Sequence, residues 1–453
     1  MKLRSKLAIK CAKGTSNLIK KLNRGSGATL PGLVARKIDP DIMSVMASML
    51  REKSIVTMGT NGKTTTNALI YRALTDEGYK VITNATGANM FNGIVSAFVL
   101  ATDKHCRLDA DYACIEVDEM ASVKVLPALK PDCALLTNIS RDQMDRLGDV
   151  DVTLETIRSA YDSVPDTTLI LNGDDAISYA LSKECKNPVI TYGISEQIFK
   201  DISHSEIKES TFCHFCGSKL DYDYRHYGNL GKYHCPNCDF HRPDPDYTAT
   251  DITSENGTYS FRFGKHMIHS SIRTAYNIYN TLAAYAGINA LGAKETKFAE
   301  AIEGFDYGNN RENIYKINGN TFQLHLAKNP VGFQQKISLI LNDPDPKDIV
   351  LLVNDFPQDG EDVSWLWGID FQYLRNANAR SITVAGNRYG DFGLRFKYED
   401  IPFKTTDDMK ATVSDLIKNG TDNIYLVVNY SGLFPTNDIL KALKNEAEGG
   451  AQA

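Results

Sequence analysis

A chain of 453 residues is long enough for two or three domains with sizeable cores, and its 42% hydrophobic and 23% charged content is that of an ordinary soluble globular protein. A formal net charge of −6 argues against general nucleic-acid binding. No apolar run approaches the ~20 residues a membrane span needs, and the first 24 residues lack the continuous apolar core of a secretory signal, so a cytoplasmic protein is expected.

Those first residues carry Lys2, Arg4, Lys6, Lys10, Lys13, Lys20, Lys21 and Arg24 and no acid, with Leu3, Leu7, Ile9, Leu18, Ile19 and Leu22 interleaved at loosely helical spacing. Residues 1–45 read as a basic segment, a solvated helix packed on the domain behind it. The sharper alternative is weak attraction to an anionic membrane surface.

The run Ser54-Ile55-Val56-Thr57-Met58-Gly59-Thr60-Asn61-Gly62-Lys63-Thr64-Thr65-Thr66 is the most informative in the chain. An apolar strand meets glycines and then a helix-forming stretch closed by Gly78, the pattern of a phosphate-binding loop. Backbone N–H groups and the helix N-terminus would face the phosphates of ATP, Lys63 would reach the outer ones, and the Thr64 hydroxyl would sit on Mg²⁺. Thr57 stands where the general pattern has its first glycine.

From about residue 50 to 200, strands and amphipathic helices alternate, which predicts a mostly parallel sheet covered on both faces, with ligands at the carboxyl ends of the strands. Strands are expected at Ile55–Met58, Lys80–Thr83, Ala113–Val117, Cys133–Asn138, Thr168–Leu171 and Pro188–Tyr192. Helices are expected at Gly93–Leu100, Ala121–Leu129, Leu154–Ser163 and Ala176–Glu184. The run Ile115-Glu116-Val117-Asp118-Glu119 ends a strand in acid, and Glu116 is the first choice for an Mg²⁺ ligand, with Asp118 and Glu119 as competitors.

An insert at 205–245 breaks the rhythm. It holds Cys213-x2-Cys216 and Cys235-x2-Cys238, separated by eighteen residues, which is spacing for a four-thiolate structural zinc ribbon. His214, His234 and His241 are nearby alternatives, but four sulfurs fill a tetrahedral site without them. Cys114 and Cys133 fall in expected buried strands, as small hydrophobes. A helix near Ala275–Ala290 completes this domain, and after Arg311 a second α/β pattern begins, with strands at Ile349–Asn354, Ser381–Ala385 and Asn423–Tyr430.

Gly59-Thr60-Asn61-Gly62-Lys63-Thr64, Glu116-Val117, Thr137-Asn138-Ile139, Leu171-Asn172-Gly173-Asp174-Asp175, Tyr276-Asn277-Ile278-Tyr279-Asn280 and Asn310-Arg311-Glu312 resemble, in order, the motifs of the Mur ligase family, which includes the folylpolyglutamate synthetases. The likeness covers about residues 45–315. It implies a Mur-ligase-like central ATPase domain at 46–312 carrying the zinc ribbon, and a C-terminal Rossmann-like α/β domain at 313–453. It further implies activation of a carboxylate by ATP as an acyl phosphate that an amine attacks, with Asn277 near the nucleotide base, Arg311 near its phosphates, and the two domains closing over the intermediate. The family's Asp-His pair reads Asp142-Gln143 here, and no lysine lies between Gly148 and Pro165 where many members carry a carbamylated one. A loop at residue 59 leaves no room for a uridine-nucleotide domain before it.

Leu326-Ala327-Lys328-Asn329-Pro330-Val331-Gly332 and the stretch from Asn354-Asp355-Phe356-Pro357 to Trp365-Leu366-Trp367 resemble the signature of the MurT family, synthetase subunits of the amidotransferase that modifies lipid II. That resemblance implies amidation of the α-carboxyl of D-glutamate in the lipid II stem peptide to D-isoglutamine, with ammonia drawn from glutamine by a partner glutaminase, GatD. Independently, Cys106, Cys114, Cys133 and Cys185 have no neighbours that would activate a glutaminase nucleophile, so another protein or free ammonia must supply nitrogen. In the family Asp355 is thought to complete the partner's Cys–His pair, fixing the histidine tautomer; the plainer reading is an Asx turn after a strand. Asp359 and Asp362 are reserves for that role, and Trp365 and Trp367 are expected in the core, with partner contact as the alternative. The alternative activity is an amino-acid ligase of the folylpolyglutamate type, needing no glutaminase. A zinc-ribbon binding module that uses nucleotide only as a switch is a rival of another class.

Overall fold

The computed structural model describes residues 1–21, 28–84, 87–140, 150–198, 210–255, 258–270, 272, 274–305, 312–357 and 359–450. The chain divides into two compact units, the first made of Met1–Ile139, Val150–Lys200 and Ser210–Phe305, the second built on Asp306–Ala453. Arg311, Asp142 and Gln143 lie outside the described residues.

Short runs form the parallel strands of the first unit, fully buried in β1 (Ser54–Met58), β3 (Tyr112–Glu116) and β4 (Cys133–Leu136) and partly buried in β2 (Val81–Thr83), β5 (Thr168–Asn172) and β6 (Val189–Ile194). Two strands of the insert, β7 (Asp221–Tyr227) and β8 (Leu230–His234), form a separate two-stranded sheet, and single bridges join Leu230 to Asp175 and His234 to His241. The main sheet then resumes with β9 (Tyr247–Glu255), parallel to β6, and the antiparallel β10 (Thr258–Phe263) and β11 (His266–His269). Its order is β11-β10-β9-β6-β5-β4-β1-β3-β2. The connection after β1 leads to β2 on one side and that after its neighbour β4 leads to β5 on the other, which makes the carboxyl ends of β1 and β4 the crevice where α/β sheets take ligands.

The second unit has a six-stranded sheet of order β12-β13-β17-β14-β15-β16, formed by Glu312–Ile317, Asn320–Leu326, Asn423–Val428, Lys347–Leu352, Ala379–Ala385 and Lys404–Thr405 respectively. All pairs are parallel except the β12–β13 hairpin. Phe333, Phe371, Phe392 and Phe396 pack on one face of this sheet, and Phe322, Leu324, Leu426 and Leu440 on the other.

The N-terminal residues form a helix, Leu3–Lys21, that packs on the helices Leu30–Ile38 and Phe91–Leu100. Its buried stripe is Ser5, Ala8, Ile9, Ala12 and Ser16, small residues that let helices approach closely. The Ser5 hydroxyl donates to Asp39 at 2.6 Å, the Arg4 guanidinium to the Ile38 carbonyl, and the Lys13 ammonium to the Thr102 carbonyl. Leu3, Leu7 and Leu18 are exposed. No helix among the described residues is long and apolar enough to cross a membrane.

Candidate active site

The phosphate loop spans from Met58 to the first turn of the helix Lys63–Asp76. Gly59 and Gly62 have φ of +120° and +87°, which side chains rarely tolerate. A Cβ at Gly59 would lie 2.3 Å from the Thr137 hydroxyl, and one at Gly62 would lie 2.2 Å from Asn280 Oδ1. Both glycines are therefore required by close approach as well as by backbone.

The loop is held from β4. Thr60 N–H donates to the Asn138 carbonyl at 2.8 Å, and the Asn61 carbonyl accepts from the Thr137 hydroxyl at 2.6 Å and from Asn138 Nδ2 at 2.9 Å. Lys63, Thr64 and Thr65 occupy the first helical turn, where the N–H groups have no acceptor within the helix and the helix dipole favours an anion.

Two carboxylates reach this edge. Glu116, the last residue of β3, stands opposite Thr57 of β1 and accepts from Asn89 Nδ2 at 3.1 Å. Its backbone is clamped by Asn84, which accepts from Glu116 N–H at 2.9 Å and donates to its carbonyl at 2.8 Å. Glu119 follows on a single 3₁₀ turn, Glu119–Ala121, capped by Asp118. Its Oε1 lies 2.8 Å from the Lys63 ammonium and 2.9 Å from Gly59 N–H. Glu119 thus binds the same two donors a phosphate would use, and the ion pair is buried, with side chains 12% and 3% exposed. Glu116, Glu119 and the Thr64 hydroxyl are the oxygen donors able to hold Mg²⁺ here, a donor set suited to a hard cation.

Asn277 and Asn280 come from the buried helix Ala275–Leu291, three residues apart and so on one face. Asn280 Nδ2 donates to Asn277 Oδ1 at 3.0 Å. The contact of Asn280 with the loop at Gly62 was not legible in the sequence, although its spacing from Asn277 is the signal that points to it. The partners of Asp174 were not legible either: fully buried, it pairs with Arg242 Nε at 2.6 Å and accepts from Ile194 N–H at 2.8 Å and from the Tyr279 hydroxyl. Arg242 belongs to the insert and Tyr279 to the Asn277 helix, so Asp174 fastens one to the other. Its neighbour Asp175 accepts from Ile139 N–H at 2.9 Å and from Ser178, and burial pushes its carboxyl up to about 6 against those hydrogen bonds.

In the insert the four thiols of Cys213, Cys216, Cys235 and Cys238 lie within 4.8 Å of one another. Cys213 and Cys238 approach to 3.6 Å, and Cys216 and Cys235 to 3.4 Å. Each pair sits in a turn: Gly217 N–H donates to the Cys213 carbonyl at 2.9 Å, and Asn237 N–H to Cys235 Sγ at 3.4 Å. The convergence of four sulfurs fits a tetrahedral soft-ligand metal such as zinc. The three histidines are engaged elsewhere: His214 with Glu184, His234 with Asp223, and His241 with the Asp239 carbonyl.

In the second unit Asp355 follows β14 and is partly buried. Arg388 Nη1 pairs with its Oδ2 at 3.0 Å, Asn387 Nδ2 donates to its Oδ1, and its own N–H donates to Asn387 Oδ1 at 3.1 Å. Its partners come from the end of β15 rather than from its own loop. Asn354 ties the same loop to Asn429 and Ser431 beyond β17. Asp359 instead accepts from Ser431 N–H, tying its loop to the start of the last helix, and Asp362 accepts from Ser364 N–H two residues on, as a turn residue does. Trp365 packs on Phe333, whereas Trp367 is 50% exposed, a departure from the expected core position. It lies against Tyr398 and below the Arg395 guanidinium, which an exposed indole can stack with.

The Mur ligase middle domain matches residues 56–288 and the MurT ligase C-terminal region matches 326–433. The MurT subunit of the glutamine-hydrolyzing lipid II isoglutaminyl synthase from Staphylococcus aureus (strain COL) is 33% identical over 94% of this chain and 94% of its own length. The MurT subunit from Streptococcus pneumoniae (strain ATCC BAA-255 / R6) is 31% identical over 97% and 98%. Among solved structures, a pseudomurein peptide ligase type C from Methanothermus fervidus shares the fold at TM-score 0.64 and 22% identity, over 88% of this chain and 80% of that one. MurF from Acinetobacter baumannii does so at TM-score 0.66 and 16% identity, over 91% and 80%. Matched in both units and along almost its entire length, the chain belongs to the MurT family, a branch of the Mur ligases.

Proposed function

We propose that this protein is the synthetase subunit of a two-component amidotransferase, cytoplasmic and working at the inner face of the membrane. It uses ATP to convert the α-carboxyl of D-glutamate in the lipid II stem peptide to the carboxamide of D-isoglutamine. The carboxylate oxygen attacks the γ-phosphorus and ADP leaves, giving an acyl phosphate. Ammonia, released from glutamine by a GatD-like partner, attacks the acyl carbon, loses a proton, and inorganic phosphate departs.

The observation that carries this reading is the glycine-locked loop with Lys63 at the head of its helix and Glu116 and Glu119 at its side. Backbone N–H groups at the head of the Lys63–Asp76 helix and the Lys63 ammonium would hold the phosphates and offset charge on the transferring phosphoryl group. Thr64 and Glu116 would hold Mg²⁺, which neutralises phosphate charge when bound. Asn277 would contact the base, and Arg311 the phosphates. Four thiolates leave no open coordination position, so zinc there would be structural. Asp355, fixed by Arg388 and Asn387, would present its carboxylate to a histidine of the partner.

The match across residues 326–433 supports this reading over a folylpolyglutamate-type ligase. Purified chain with a GatD-like glutaminase, glutamine, ATP and lipid II should give ADP and amidated lipid II in equal amounts. Folded protein that hydrolyses glutamine with its partner yet amidates nothing would end the reading.

A further inference from the structure

The stripe Leu3, Leu7, Lys10, Gly14, Leu18 and Lys21 advances by four, three, four, four and three residues, so it forms one line along the N-terminal helix. It lies opposite the buried stripe, and all six residues are exposed. Leu3 is 84% exposed, Leu7 54% and Leu18 58%, although a soluble helix normally turns leucines inward. Its small residues face the protein instead.

The flanks are cationic. Lys2, Lys6 and Lys20 run along one side of the stripe, and with Lys10 and Lys21 they make no ion pair among the described residues. The loop Lys104-His105-Cys106-Arg107 continues the patch, since Cys106 Sγ touches the Lys6 carbonyl at 3.9 Å. Of the nearby acids among the described residues, Asp39 is buried against Ser5, and Asp103 is taken up by the N–H groups of His105 and Arg107 and held below the usual carboxylate range, the Arg107 hydrogen bond being the larger cause. All this stands on a chain whose net charge is −6.

We infer that this outward face docks the protein on an anionic lipid bilayer, the leucines entering the headgroup boundary and the lysines meeting lipid phosphates. Apolar residues alone would suit any partner. A leucine line bordered by unpaired lysines and lacking acid matches a surface that is apolar within and negative at its rim. Each lysine near such a surface is worth about fivefold in partition, and the attraction is screened over roughly 10 Å at 0.1 M salt. The inference deepens the reading of a lipid-linked substrate, but vesicle binding tests it without substrate.

The test is co-sedimentation of the full chain, with its glutaminase partner, on vesicles of phosphatidylcholine alone or with phosphatidylglycerol added. Binding is expected only to the anionic vesicles, and should weaken at high salt. The triple variants Leu3→Ser/Leu7→Ser/Leu18→Ser and Lys6→Glu/Lys10→Glu/Lys21→Glu should each lose at least tenfold of that binding. Their unfolding temperatures should be unchanged, because every substituted side chain is exposed. Amidation of lipid II in vesicles should fall in both variants while amidation of a soluble stem peptide is retained. No binding to anionic vesicles at low salt, or equal binding by parent and variants, overturns the inference and leaves the amidation chemistry standing.

Discussion

The loops after β1 and β14 both leave an interior parallel strand, yet they differ in what surrounds them. The first is closed: two glycines at positive φ, a buried Lys63–Glu119 pair, and backbone groups stitched to Thr137 and Asn138. The second is half open: Asp355 is gripped by Arg388 and Asn387, Phe356 stands exposed on the same loop, and Tyr389, Tyr430 and Phe434 stand exposed on the first turns of the helices that follow β15 and β17. A strand end that encloses donors suits a small anion. One that holds a carboxylate rigid among exposed rings suits a protein surface.

That contrast can be broken at either loop. The largest effect is expected from Asp355→Asn, which should lower glutamine-dependent amidation by as much as ~10⁴-fold, as for an orienting aspartate in a triad, and leave ammonia-dependent amidation intact. Equal loss with both nitrogen sources would move Asp355 out of the partner's reaction. Lys63→Ala should do the converse, reducing turnover by roughly 10²–10³-fold whichever nitrogen source is used, without weakening capture of the glutaminase.

The next effects concern stability. Arg242→Met strands the buried Asp174 carboxylate, and should cost the first unit about 3–5 kcal/mol, or roughly 10 °C in its calorimetric transition, with the second unit unmoved. An unshifted transition would mean the pair contributes nothing net. The smallest effect involves His226, which burial holds neutral, pulled down from 6.5 to about 4. The unfolded chain takes up a proton below 6.5 and the folded one does not until about 4, so stability is full above 6.5 and is lost on acidification through that window. His226→Phe should therefore gain on the parent by about 2 kcal/mol between pH 6.5 and 5, read from urea midpoints. A pH-independent difference would refute neutral burial.

The elements that sequence made legible are those specified locally. The helix Ala176–Glu184 appears at the expected bounds, and β1, β3 and β5 fall within a residue of theirs, because apolar run length and flanking turn residues decide them. The strand expected to reach Asn138 stops at Leu136, since Thr137 and Asn138 turn their polar groups to the phosphate loop. Glycine spacing located the loop after β1, and cysteine spacing located the four-thiol cluster, for the same reason.

What escaped depends on distant chain. Glu119 meets Lys63 only because a 3₁₀ turn redirects its carboxylate. Asp174 joins groups 68 and 105 residues away, and no local pattern encodes those partners. Nor does periodicity reveal that the N-terminal helix turns its alanines and serines inward, because that choice belongs to the helices it packs against.

The position of the cysteine ribbon bears on how the molecule assembles. It interrupts the chain between Ile194, where β6 ends, and Tyr247, where β9 begins, and those two strands must then lie side by side. A long excursion makes that parallel pairing slow and entropically costly, and a crosslink inside the excursion shortens the effective loop. A metal held by the four thiols would therefore couple its capture to sheet growth, and a chain deprived of it would be expected to leave β9, β10 and β11 unmoored, an aggregation-prone form that proteases would clear first.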